Sequence, residues 1–238
     1  MEFTDHYGVL SRNNTVQTVL ESFRLDIVLR RYHPGEPVRE ISLAQKYGCS
    51  RASVRSAFFV LEKEGLITAL KNGTKQVQSL EPEDIRNLYD LRRHIELTSI
   101  RQVFESGHKY CSPMLGALGA VAASDGKNAR ELLVIDTDFH RSIVASSRNK
   151  ALLQAWENMA GLLYAIFNLN MTDSKAYEME FIQTFKPRHI ELMGHLMNSP
   201  EQSLTLMEQH IEEAFAISQR AIANRIKEDS HEPNQTNL

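Results

Sequence analysis

Cysteine and tryptophan are nearly missing from this chain of 238 residues, which holds two of the first and one of the second. Cys49 and Cys111 form neither a Cys-x-x-Cys pair nor a disulfide framework, and such scarcity suits a reducing compartment. Both read as small buried or half-buried side chains. No stretch approaches the ~20 uninterrupted apolar residues of a membrane helix, so no membrane partner is expected. Residues 1–14 are acidic and polar, lack the apolar core of a signal peptide, and read as a flexible tail. The chain has no internal repeat, no low-complexity tract, no His-Asp dipeptide and no zinc-protease motif.

There is also no overall basic excess, since 27 Lys/Arg face 30 Asp/Glu for a net charge of −3. The distribution matters more than the total. Residues 15–80 carry ten Lys/Arg against six Asp/Glu, while residues 81–238 carry 16 against 22. A basic front on an acidic remainder suits a nucleic-acid-reading domain joined to a sensing domain.

The front is punctuated clearly. Val16, Val19, Leu20, Phe23 and Ile27 form an amphipathic stripe that His33-Pro34-Gly35 stops. A short second helix is expected over 38–47, and Gly48 turns the chain. Ser50 caps a third helix over 51–64 with an inward stripe of Val54, Ala57, Phe58 and Leu61. After Gly65, residues 66–70 and 75–78 read as two strands around a turn of Lys71, Asn72, Gly73 and Thr74. Three helices plus a β-hairpin wing over 15–79 make a winged helix-turn-helix. From Pro82 on, the pattern is almost wholly helical. It gives a mainly α chain, with an all-α antiparallel bundle over 80–227 and a polar, disordered tail over 228–238.

Ser50, Arg51, Ala52 and Ser53 would open the third helix, where side chains and free backbone amides meet phosphate and groove. Arg51 and Arg55 lie four residues apart, opposite the apolar stripe, and guanidinium forks suit guanine edges or phosphates. The front resembles the GntR family of regulators. The run Pro34-Gly35, Leu43-Ala44, Gly48-Cys49-Ser50-Arg51, Val54-Arg55, Leu61, Glu64-Gly65-Leu66-Ile67 carries the resemblance. It implies double-stranded DNA contacts by Arg39, Ser50, Arg51, Ala52, Ser53 and Arg55, with Lys71, Asn72 and Gly73 in the wing and Lys75 near it. Three departures stand out. Ile41 occupies a place where some relatives carry an arginine, Ser56 replaces a glutamate, and Asn72-Gly73-Thr74 replaces an Asn-Arg-Gly tip.

The second half resembles the helical ligand-binding domain of the FadR subgroup. The likeness rests on Arg92-Arg93-His94-Ile95-Glu96, Asp136-Thr137-Asp138-Phe139-His140 and Ser147-Arg148-Asn149, with His189 and His210 completing the set. The residues make chemical sense alone. Asp136 and His140 share a helical face at i, i+4. His189 and His210 lie about equally far on either side of Asn198-Ser199-Pro200, so an antiparallel hairpin puts them opposite each other. Three imidazoles and one carboxylate suit a divalent metal, zinc first, with manganese or nickel as alternatives. His195 and Asp138 point off that face. Arg92 is a candidate clamp for an effector carboxylate, against an i,i+4 surface ion pair with Glu96. Trp156, Tyr164, Phe167 and Met193 are core residues or pocket lining.

The expectation is a cytoplasmic, homodimeric repressor that grips a palindromic operator and answers to a small carboxylate metabolite at the metal. The alternative is a metal-dependent helical hydrolase with an accessory winged-helix module.

Overall fold

The computed structural model describes residues 15–231. Of these, one compact unit comprises the chain through Pro82 together with its end from Arg220, and a second runs Glu83–Gln219.

In the first unit, α1 (Thr15–Val28) buries Val19, Leu20, Phe23 and Ile27, while Val16 is only half-buried. The helix ends earlier than its proline-glycine stop suggests. Arg30 takes a left-handed φ of 55°, and the Arg31 and Arg30 amides donate to the Asp26 and Ile27 carbonyls. This is the double closure of a helix end that glycine ordinarily makes. The chain then forms β1 (Pro37–Val38), α2 (Glu40–Lys46), α3 (Arg51–Lys63), β2 (Ile67–Ala69) and β3 (Lys75–Val77).

The expected two-stranded wing is a three-stranded antiparallel sheet in the order β1-β3-β2, with Val38 opposite Lys75 and Ala69 also opposite Lys75. The second helix accordingly starts at Glu40 rather than at 38. Pro37 and Val38 stay extended against β3, and Arg39 remains extended at the helix N-cap. Two residues of strand after a proline-glycine turn carry no periodicity of their own.

The buried stripe of α3 is Val54, Ala57, Phe58 and Leu61, packed so that Phe58 and Phe23 rings meet at 5.9 Å. Asp26 of α1 fixes the far end of α2: its carboxylate accepts from Tyr47 Oη at 2.8 Å and pairs with Lys46 Nζ at 2.7 Å and Arg31 Nη1 at 2.7 Å. Burial alone would raise the Asp26 pKa, but the Lys46, Arg31 and Tyr47 donors outweigh it and hold the carboxyl below its usual value.

The second unit is built from α4 (Pro82–Glu105), α5 (Ser112–Ala123), α6 (Ala129–Ser146), α7 (Lys150–Asp173), α8 (Lys175–Asn198) and the first turns of α9 (Pro200–His231). Asn128, Asn149 and Ser174 accept backbone amides at the starts of α6, α7 and α8, which is why these boundaries are readable in the sequence. Trp156, Phe139 and Phe185 are fully enclosed in its core.

The C-terminal end corrects two expectations. Residues 228–231 continue α9 instead of opening a disordered tail, and α9 from Arg220 belongs with the first unit instead of ending a domain at 227. Ile222 is buried there, and Asp229 pairs with Arg30 and with His33. Those partners hold turns that composition alone reads as solvated. The proposed tails over 1–14 and 232–238 lie outside the described residues.

Phe58→Ala should cost about 3–5 kcal/mol of stability in urea denaturation; a loss below about 1 kcal/mol would show that α3 is not packed through this ring. Asp26 contributes stability that is complete above the ordinary carboxylate range and is lost as pH falls through its lowered value. Asp26→Asn should therefore lower stability at neutral pH and flatten its fall between about pH 5 and pH 2 in thermal melts.

Candidate functional site

Two groups of side chains carry chemistry. The first lies at the start of α3. Ser50 accepts the Ser53 amide at 3.1 Å and lies 2.9 Å from its hydroxyl, so both hydroxyls serve the helix cap first. Arg51, Ala52 and Arg55 are exposed on one face, as their spacing requires. The two arginines are not independent. The Glu40 carboxylate takes Arg55 Nε at 2.8 Å and Arg55 Nη2 at 2.9 Å, and also Arg51 Nη2 at 3.3 Å. Glu40 is a residue the sequence does not announce, because it precedes its partners by a turn and a whole helix. Its own carboxyl is held below the usual value chiefly by the Arg55 hydrogen bond.

Arg39 is exposed at the N-cap of α2. In the wing, Lys71, Asn72 and Gly73 are all exposed. Asn72 Oδ1 accepts the Thr74 amide at 3.0 Å and Gly73 supplies the φ of 80° the turn needs. Lys75 is different: Glu62 of α3 holds its ammonium at 2.7 Å, part-buried, so it ties the wing to the helix.

The second group is buried except for His210, which is half-buried. Asp136 and His140 of α6, His189 of α8 and His210 of α9 each bring one ligand atom to a common point, all within 4.8 Å of one another. The rings of His189 and His210 have centroids 5.4 Å apart, which the hairpin around residue 199 requires. His195 and Asp138 are outside the cluster.

The hydrogen bonds fix the tautomers of two rings. His140 Nδ1 lies 2.6 Å from Glu96 Oε2, and His189 Nδ1 lies 2.7 Å from the Phe185 carbonyl. Carboxylate and carbonyl oxygens only accept, so both Nδ1 atoms carry hydrogen, and in the neutral form of each ring Nε2 presents its lone pair inward. His189 Nε2 is 2.9 Å from Asp136 Oδ1 yet makes no aligned hydrogen bond. His140 Nε2 is 3.2 Å from His210 Nε2 and 3.9 Å from Asp136 Oδ1. These separations are in the range of neighbouring ligands around one ion about 2.0–2.2 Å from each.

Electrostatics point the same way. Burial would raise the Asp136 pKa, but the His189 contact and the neighbouring His140 ring keep it far below normal. Burial, reinforced by His140 and His189, pushes His210 well down, so that ring is neutral. Neutral imidazole and ionised carboxylate are the forms that bind a metal.

Arg92 is fully buried, and its pair with Glu96 (Nε to Oε1, 2.7 Å) lies inside the bundle rather than on a solvated surface. Its Nη1 has no hydrogen-bond partner, and neither do buried Trp156 Nε1 and Tyr164 Oη. Its guanidinium sits 5.5–5.9 Å from the ring centroids of Phe167, Tyr89 and Trp156. Trp156, Tyr164, Phe167 and Met193 are all core residues.

Residues 87–213, more than half the chain, match the FCD domain, and residues 15–75 match the bacterial regulatory proteins of the gntR family. The chain belongs to the GntR family. This GntR regulator is 26% identical over 194 residues to a protein of Paenarthrobacter nicotinovorans described as a probable D-xylose utilization operon transcriptional repressor. That alignment covers 79% of this chain and 86% of the relative. It is 25% identical over 207 residues to the gluconate operon transcriptional repressor of Bacillus licheniformis, covering 84% and 83%.

A solved GntR regulator from a Rhodococcus species shares its fold with a TM-score of 0.60 at 21% identity, over 85% of this chain and 96% of that one. Lar of Listeria monocytogenes gives 0.63 at 13%, over 86% and 96%. The matched domains and relatives are transcription regulators, not enzymes, which sets the hydrolase alternative aside. Among the described residues no helix is long and apolar enough to cross a membrane.

Proposed function

We propose that this GntR regulator is a metal-dependent repressor that releases its operator when a small carboxylate metabolite enters the second unit. The reading is carried by one observation: the ring nitrogens of His140, His189 and His210 and a buried Asp136 carboxylate oxygen converge on one point, and His189 Nε2 has no aligned hydrogen-bond partner there. Left alone, a neutral His189 sets its Nε2 lone pair against the Asp136 carboxylate, 2.9 Å away, in a low-dielectric interior. A divalent cation relieves it. Asp136, His140, His189 and His210 would hold zinc, manganese or nickel, and such an ion with open positions supplies a Lewis-acid anchor for a carboxylate. Arg92, with Nη1 unpartnered, would take the same carboxylate by charge-assisted hydrogen bonds. Relatives named for D-xylose and gluconate operons support a sugar-derived acid and support repression.

At the other end, Arg39, Arg51 and Arg55 contact operator bases and phosphates, the amides and hydroxyls around Ser50, Ala52 and Ser53 seat a phosphate, and Lys71, Asn72 and Gly73 follow the backbone from the wing. A homodimer in the cytoplasm places two such faces on a palindrome. The effector shifts the population between DNA-competent and incompetent arrangements of the dimer.

Capture of sheared genomic DNA on the purified protein, with and without zinc, tests the whole reading: a few promoters sharing one short palindrome are expected, and a flat profile in both conditions refutes it. Arg55→Ala should lower operator affinity roughly 5- to 150-fold in fluorescence anisotropy, equivalent to about 1–3 kcal/mol for a lost bidentate contact; unchanged affinity removes it from the interface. His210→Ala should drop bound metal from about one ion per chain to near none by elemental analysis. Full retention there would break the ligand assignment.

A further inference from the structure

Glu96 is the least exposed carboxylate of the second unit, and it faces two donors at once. Its Oε2 accepts from His140 Nδ1 at 2.6 Å and its Oε1 accepts from Arg92 Nε at 2.7 Å. We propose that Glu96 is a positioning residue that orients a metal ligand and the effector clamp with one carboxylate, so that neither is set independently of the other. The proposal rests on the reading of Asp136, His140, His189 and His210 as a metal site and names how that site is held.

The argument is one of donor and acceptor count. A carboxylate has acceptors on both oxygens and no hydrogen to give. Against it, His140 must carry its hydrogen on Nδ1, which in the neutral ring leaves the Nε2 lone pair for a metal, 3.2 Å from His210 Nε2 and facing Asp136. The same carboxylate engages Arg92 through Nε alone, leaving Nη1 buried and unpartnered.

Glutamine has almost the same shape but only one acceptor. If its oxygen stays on Arg92, its amide faces His140 Nδ1; the ring then moves its hydrogen to Nε2 and covers its own ligand atom. If its oxygen turns to His140, the amide meets the Arg92 N–H and the clamp is displaced. Carboxylates behind metal-bound histidines set ring orientation and ligand basicity in the same manner. A residue that merely filled space would show no such selectivity for two acceptors.

The test uses the full chain, stripped of metal and titrated with Zn²⁺ or Mn²⁺ against a fluorescent chelating indicator. Glu96→Gln should bind roughly 10–100-fold more weakly than wild type, with its metal-free circular dichroism unchanged. In Glu96→Gln/Arg92→Met the glutamine oxygen has only His140 to serve, so part of the lost affinity should return. In metal-free wild type, long-range proton–nitrogen NMR should show His140 with hydrogen on Nδ1 and none on Nε2, a measurement that needs no variant to fold.

Affinity of Glu96→Gln within about twofold of wild type overturns the proposal, and so does a His140 ring protonated on Nε2 alone. Wild type that takes up no ion sinks the metal reading instead, and the His140 tautomer still decides whether Glu96 orients that ring.

Discussion

Charge buried without water has to be answered by charge or hydrogen bond, and the second unit is organised around that constraint. Asp136, Glu96 and Arg92 lie in the interior of a bundle whose neighbours are Trp156, Phe139, Phe167 and Phe185. Isolated, each would cost several kcal/mol to desolvate. They persist because each serves another: Arg92 holds Glu96, Glu96 holds His140, and His140 and His189 face Asp136. The chain of contacts runs from α4 through α6 to α8 and α9. Well-packed apolar side chains in place of buried ion pairs are often as stable or more so. What the ionic groups provide instead is one defined interior arrangement with ligand atoms left over.

The first unit solves a smaller version of the same problem. Asp26 sits between α1 and the end of α2, and three donors from residues 31, 46 and 47 surround it. That clamp sets the angle from which α2 delivers Glu40, and Glu40 in turn holds Arg51 and Arg55. The exposed guanidiniums are thus placed by a buried carboxylate two contacts away. Ser50 and Ser53 fix the helix start from which the same arginines project.

Much of this is legible in the residues. The Val54, Ala57, Phe58 and Leu61 stripe and the Ser50 cap locate α3 because period and capping chemistry are local. The Asp136 and His140 pair is legible for the same reason, being one turn apart on one helix. The His189 and His210 partnership needs one more inference, a hairpin at Ser199, and the structure supplies it. What escapes is whatever depends on distant chain. Strand β1 exists only because β3 is there to pair with, and the last turns of α9 are ordered by Arg30 and His33, nearly the whole chain away. Arg92 and Glu96 read correctly as an i,i+4 pair, but spacing says nothing about burial, and nothing in it links Glu96 to His140. Glu40 is missed because an acidic residue at a helix start already has an explanation, the helix dipole.

The Glu40 pairing has a kinetic side. With Arg51 and Arg55 as the operator contacts proposed above, a helix whose guanidiniums already pair with Glu40 would meet random duplex with its positive potential partly cancelled, be held there weakly and leave quickly. Sequence that offers guanine edges in the right place can outcompete one shared carboxylate; phosphates alone offer less. For a protein that must sample a vast excess of wrong sites before reaching a few right ones, a counter-charge carried on the molecule shortens each wasted visit.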